Sequence, residues 1–70
     1  MTFDRFVNEL KAEGLTYAEI LKANTIAYEE ARDAHDGLDG SWTDADLNSI
    51  GRDFVITNLD DFLEQIRFKG

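Results

Sequence analysis

The sequence predicts an all-α domain, and three observations predict it. There is no proline in 70 residues, so no position has a locked φ or a missing amide donor. Threonines at 2, 16 and 43 each stand where a helix cap belongs, ahead of an apolar periodic run. Large apolar residues recur at three- and four-residue spacing along the chain.

The first element runs from Thr2 to Glu13. Thr2 caps it, with Arg5 where a capping box would carry Glu. Phe3, Phe6, Val7 and Leu10 share one face, and Gly14 stands at the C-terminal cap position. Thr16 and Glu19 form a capping box that opens a second helix, running to about His35. Tyr17, Ile20, Leu21, Tyr28 and Ala31 line one face of it, with Glu19, Glu29, Glu30 and Asp33 opposite. Ile26 falls among those acids, so either it is exposed or the helix breaks near Asn24 and Thr25.

Asp36-Gly37-Leu38-Asp39-Gly40-Ser41 reads as a loop, because two glycines between aspartates and a serine favour turns. Trp42 is expected to pack onto the core and anchor that loop. Thr43 caps the next helix, with Asp44 and Asp46 in the first turn where the helix dipole favours acids. Leu47, Ile50, Phe54, Leu59, Phe62, Leu63 and Ile66 then continue a helical stripe, interrupted by the β-branched run Val55-Ile56-Thr57. The stretch 44–68 fits one long helix, or two joined by a connector near Gly51 to Asn58. Two are preferred, the last capped by Thr57 or Asn58, and a short strand at 54–57 is the minor option. The prediction is a single domain over 1–70, of three to four short helices. Its core is Phe3, Phe6, Leu10, Ile20, Leu21, Leu47, Ile50, Phe62, Leu63 and Ile66, with Tyr17, Tyr28 and Trp42 at the edge.

Composition bounds the function. A domain this small buries only about 60% of the surface of its unfolded chain. Hydrophobic residues at 43% are enough for a globular core. There is no cysteine, which excludes disulfides and thiolate metal sites. No apolar run approaches the roughly 20 residues of a membrane span, and the first residues lack the pattern of a secretion signal. A soluble cytoplasmic protein is the expectation. Fifteen acids against seven bases give a net charge of -8. Such a surface repels nucleic acid and anionic lipid and attracts basic surfaces.

Glu13-Gly14-Leu15-Thr16-Tyr17-Ala18-Glu19-Ile20 resembles the entry to helix-turn-helix segments of sigma-factor and resolvase type. The resemblance covers residues 14–34. It makes Ile20, Leu21 and Ala23 inner-face residues, puts the turn at Thr25, and buries Ile26 and Ala31 in the second helix. It implies a helix-turn-helix-like core and a degenerate regulator. The would-be recognition helix, Ala27-Tyr28-Glu29-Glu30-Ala31-Arg32-Asp33, sets three acids against one arginine. DNA readers carry arginine, lysine, asparagine or glutamine there, so no direct nucleic-acid binding is expected.

Asp39-Gly40-Ser41 through Asp46 is similar to the later half of an EF-hand loop. His35 and Gly37 occupy positions one and three, where the ion needs carboxylates, so no metal is assigned. His35 has no second histidine or cysteine with which to build a zinc site. Asp60-Asp61 and Glu29-Glu30 are adjacent pairs that point about 100° apart on a helix, unlike an acid–base dyad in a shared cleft. No cofactor and no catalysis are expected.

The acidic surface is the functional candidate. From Glu29 to Asp61 there are ten acids and two bases, Arg32 and Arg52. Acids three or four residues apart on a helix rise by about 5–6 Å, a coarse imitation of a phosphate track spaced at about 3.4 Å per strand. In size and charge the chain is similar to small acidic phage or mobile-element inhibitor proteins that block restriction or CRISPR enzymes. The expected partner is a basic protein surface, in the sharpest version a nucleic-acid-handling enzyme. It would be contacted by Glu29, Glu30, Asp33, Asp36, Asp39, Asp44 and Asp46. The alternative is an assembly subunit, such as a homodimer joined through Ile26, Val55, Ile56 or Phe68.

Overall fold

The computed structural model describes residues 1–34 and 42–68. Among the described residues the chain forms four helices and no strand: α1 (Phe3–Ala12), α2 (Tyr17–Ala34), α3 (Asp44–Thr57) and α4 (Leu59–Phe68). The predicted all-α class is what the chain adopts. The loop at 36–41 and His35 lie outside the described residues.

Each helix start has a local cause. The Thr2 hydroxyl accepts from the Arg5 amide at 3.2 Å. Thr16 and Glu19 close the expected box: the Thr16 amide donates to Glu19 Oε1 at 2.8 Å, and the Glu19 amide donates to Thr16 Oγ1 at 3.2 Å. Thr43 and Asp46 form the same reciprocal pair, at 3.1 and 3.2 Å. Each box satisfies two amides that the first turn leaves without partners. α1 ends in a Schellman turn. The Leu15 amide donates to the Leu10 carbonyl and the Gly14 amide to the Lys11 carbonyl. Gly14 sits at φ +91, a conformation that glycine adopts without a Cβ penalty. The turn drops Leu15 into the core next to the helix it terminates.

α2 and α3 form the most extensive pairing. They run antiparallel, since Tyr28 meets Asp44 while Asn24 meets Arg52 further along α3. Small residues make the centre of the seam. α2 buries Ile20, Ala23, Ala27 and Ala31; α3 buries Leu47, Gly51 and Val55. A Cβ added at Gly51 would overlap the Ala27 carbonyl group, so the two backbones touch there. α1 and α4 complete the core with Phe6, Leu10, Phe62 and Ile66.

Four expectations are corrected. α2 is unbroken, so the helix-turn-helix turn at Thr25 does not exist. The Thr25 hydroxyl donates back to the Leu21 carbonyl at 3.3 Å, the i to i−4 bond that threonine makes inside a helix. Ile26 needs no break, because it is half-buried and packs against the core. α3 continues through Gly51 to Thr57, and the connector shrinks to Asn58. The strand option at 54–57 fails because α3 stays helical to Thr57 with Val55 fully buried, so packing overrides β-branched propensity.

The core also differs from the predicted set. Leu21 and Ile50 are exposed, whereas Leu15, Ala23, Ala27, Ala31 and Val55 are buried. Phe3 and Leu63 are half-buried. Of the residues expected to join subunits, Val55 is buried, Ile26 and Ile56 pack against the core, and the Phe68 side chain lies outside what is described. The expected edge is found: Tyr17 and Trp42 are exposed and Tyr28 is half-buried.

Candidate functional site

The seven acids singled out by the sequence separate in space. Asp36 and Asp39 lie outside the described residues. The other five divide between the two flanks of the α2–α3 seam and the start of α3.

On one flank the contacts are polar and internal. The Tyr28 hydroxyl donates to Asp44 Oδ1 at 3.0 Å, tying the middle of α2 to the first turn of α3. Arg52 Nε donates to Asn24 Oδ1 at 2.8 Å, and its guanidinium reaches the Met1 carbonyl at 3.3 Å. The guanidinium also stands 5.5 Å from the Phe3 ring centroid, a cation–π distance. Burial lowers the Arg52 pKa below its ordinary value. The Met1 amino group adds a bond to Ser49 Oγ at 2.8 Å and an ion pair with Asp53 at 3.2 Å. Asp46 is exposed, but its carboxylate accepts from the Thr43 amide within the capping box.

The other flank carries Glu29, Glu30 and Asp33. Among the described residues none of the three forms an ion pair. With Ile26, Arg32 and Gln65 they line a polar groove between α2 and α4. Glu30 and Asp33 also border a second groove, between α2 and α3, of about 430 Å³. Its floor is apolar: Ala31, Ala34, Ile50, Gly51 and Phe54. Phe54 is 49% exposed and Ile50 36% exposed, and the Phe54 ring meets Phe62 edge-on with centroids 5.7 Å apart. Two carboxylates on one turn of α2 therefore stand on a ridge between a polar groove and an apolar one.

This changes the balance of charge. Arg52, one of the two bases in the acidic half of the sequence, is half-buried and bonded to Asn24 and Met1. It does not neutralise the exposed acids of the opposite flank, which leaves Arg32 as the base beside them.

Sequence reasoning missed the apolar groove. Ile50 and Phe54 read as core because they share helical spacing with Leu47. The available signal was the width of the stripe: Leu47, Ile50, Gly51, Phe54 and Val55 cover more of α3 than one partner helix needs.

Among the described residues no group of three or more histidine, cysteine or acidic side chains is placed to hold a metal ion, and no helix is long and apolar enough to cross a membrane. No protein-family model, no curated protein and no solved structure matches the chain. The functional reading therefore rests on the geometry of this surface.

Proposed function

We propose that this domain is a non-catalytic binding protein that engages a basic surface of a partner protein. The observation that carries the reading is the acidic face of Glu29, Glu30 and Asp33 on α2, which forms no ion pair among the described residues and has Arg32 as the base lining the same groove. α2 runs unbroken through this stretch, so Glu29 and Asp33, four residues apart, are offset by a rise of about 6 Å. A groove built for nucleic acid presents lysine and arginine at phosphate spacing, and a fixed row of carboxylates competes for such groups. The sharpest form of the proposal is therefore an inhibitor of a nucleic-acid-handling enzyme, of the phage or mobile-element type. Asp44 and Asp46, at the start of α3, are exposed and extend the negative field, though each also holds an internal bond.

The test is capture from a lysate of the native host, with nuclease present. Wild type and a Glu30→Lys/Asp33→Lys double variant are compared. The expected result is a basic nucleic-acid-handling enzyme that wild type retains, that salt releases, and that the variant loses. Circular dichroism should show the same helix content in both proteins. Equal capture by the two proteins, or a partner that stays bound at high salt, overturns the reading.

An apolar assembly role is the second reading, favoured by the exposure of Ile50 and Phe54. It predicts a mass that rises with concentration and little sensitivity to salt.

A further inference from the structure

We infer that the groove between the C-terminal half of α2 and α3 is the docking site for a basic amphipathic helix of the partner. The inference rests on the proposed acidic binding role and names the chemistry of what that role binds.

The groove has two parts with different demands. Its floor (Ala31, Ala34, Ile50, Gly51, Phe54) offers no charge, and its rim carries Glu30 and Asp33. An apolar floor recognises apolar side chains, and an acidic rim recognises lysine or arginine. One ligand satisfies both: a helix with an apolar stripe flanked by basic residues, laid along the valley between two antiparallel helices. Within that floor, Ala31, Ala34 and Gly51 present little side chain, while Ile50 and Phe54 supply the large apolar groups from α3. The aromatic ring at Phe54 is the natural anchor, since aromatic residues dominate interface energetics.

Charge decides between occupants. A second copy of this chain would bring another net charge of -8 against the same acidic rim. Like charges brought together across an interface oppose association. A basic helix gains from the same field, both in encounter rate and in the bound state. A purely basic segment without apolar residues would satisfy the rim and leave the floor wet.

The test uses the whole chain and three labelled probes, read by fluorescence anisotropy. The probes are an amphipathic leucine–lysine helical peptide, a polylysine of equal charge, and a leucine–glutamate peptide of the same pattern. The leucine–lysine peptide is expected to bind about tenfold more tightly than polylysine. Ile50→Ser and Phe54→Ala should each remove that margin while leaving polylysine binding unchanged. Glu30→Lys/Asp33→Lys should weaken both basic probes. Ile50→Ser carries the test should Phe54→Ala, which loses the Phe62 contact, fail to fold.

Equal binding of the two basic probes, or a margin that survives both substitutions, overturns the groove and leaves the acidic ridge standing. Failure of both basic probes to bind wild type overturns the acidic reading itself. Tight binding of the leucine–glutamate peptide refutes the charge argument. A concentration-dependent mass that Ile50→Ser abolishes makes a second copy the occupant and overturns the proposal.

Discussion

The two flanks of the α2–α3 seam are built on opposite principles. One is tied: Tyr28 to Asp44, Asn24 to Arg52, and Arg52 onward to Met1 and Phe3. The other is open. Among the described residues no hydrogen bond or ion pair crosses it, and its floor leaves Ile50 and Phe54 exposed. The same pair of helices makes both flanks, so the difference lies in side chains. Directional bonds on one flank help fix the register of the two helices. Apolar side chains on the other are then left without a full partner, a surface available for binding. Stabilising bonds thereby lie on one side of the seam, and the surface proposed for recognition lies on the other.

The largest predicted effect breaks both flanks at once. Gly51 lies in the middle of the seam, against the Ala27 backbone. Replacing a helical glycine by alanine ordinarily stabilises by about 1 kcal/mol. Here Gly51→Ala forces the helices apart and should destabilise by about 3 kcal/mol, the upper part of the range for overpacking. Gly51→Leu should leave the chain unfolded, since a domain of this size has only about 5 kcal/mol in hand. Urea denaturation reads both. A midpoint for Gly51→Ala at or above wild type would mean that the helices do not touch there.

The next pair separates the flanks. Arg52→Ala removes bonds to Asn24 and Met1 and the contact with Phe3, and should cost about 2 kcal/mol. Ile50→Ser acts on the open flank and should cost about 1 kcal/mol, since Ile50 is 36% exposed and only part of its apolar burial is lost. The same denaturation experiment measures both. If Ile50→Ser proves the more damaging, the open flank belongs to the core and the contrast fails. Tyr28→Phe tests a single tie: losing the exposed bond to Asp44 should cost about 0.5 kcal/mol.

Much of this fold is legible in the sequence because its signals are local. Thr2, Thr16 with Glu19, and Thr43 mark helix starts through bonds to residues three positions away. Gly14 marks the end of α1 through its own backbone conformation. What is not local is misread. Gly51 looks like a breaker, because nothing nearby in sequence says that Ala27 is pressed against it. Ala31 is legible on the inner face of α2, and Ala23 through the helix-turn-helix resemblance, but Ala27 looks like filler, because periodicity weights large residues, yet only small ones allow the close crossing. Ile50 and Leu21 look like core for the same reason. The acids were legible as residue types but not as a surface. Their division depends on which flank each side chain reaches, and on Asp44 and Asp46 being engaged by Tyr28 and Thr43.

The smallest predicted effect lies away from both flanks, at the start of α2, and it is a matter of pH. The Glu19 carboxyl is held below its ordinary value of 4.5, chiefly because the Thr16 amide donates to it. Desolvation opposes this, while the Thr16 side chain and Arg67, at 4.0 Å, assist. A carboxyl whose folded pKa is depressed binds protons less readily in the native state than in the unfolded one. Its stabilisation is therefore fully present above the unfolded value and is lost as pH falls through the folded one. Glu19→Gln keeps an acceptor for the Thr16 amide but removes the charge. The melting temperature of wild type should exceed that of the variant above pH 4.5, and the gap should close as the solution becomes more acidic. Raising the salt concentration discriminates between causes. A gap that survives salt belongs to the amide bond, which is short-ranged. A gap that salt abolishes belongs to Arg67, whose exposed pairing is screened. A gap that widens in acid would mean that the Glu19 carboxyl is raised, and the capping geometry at the head of α2 would be wrong.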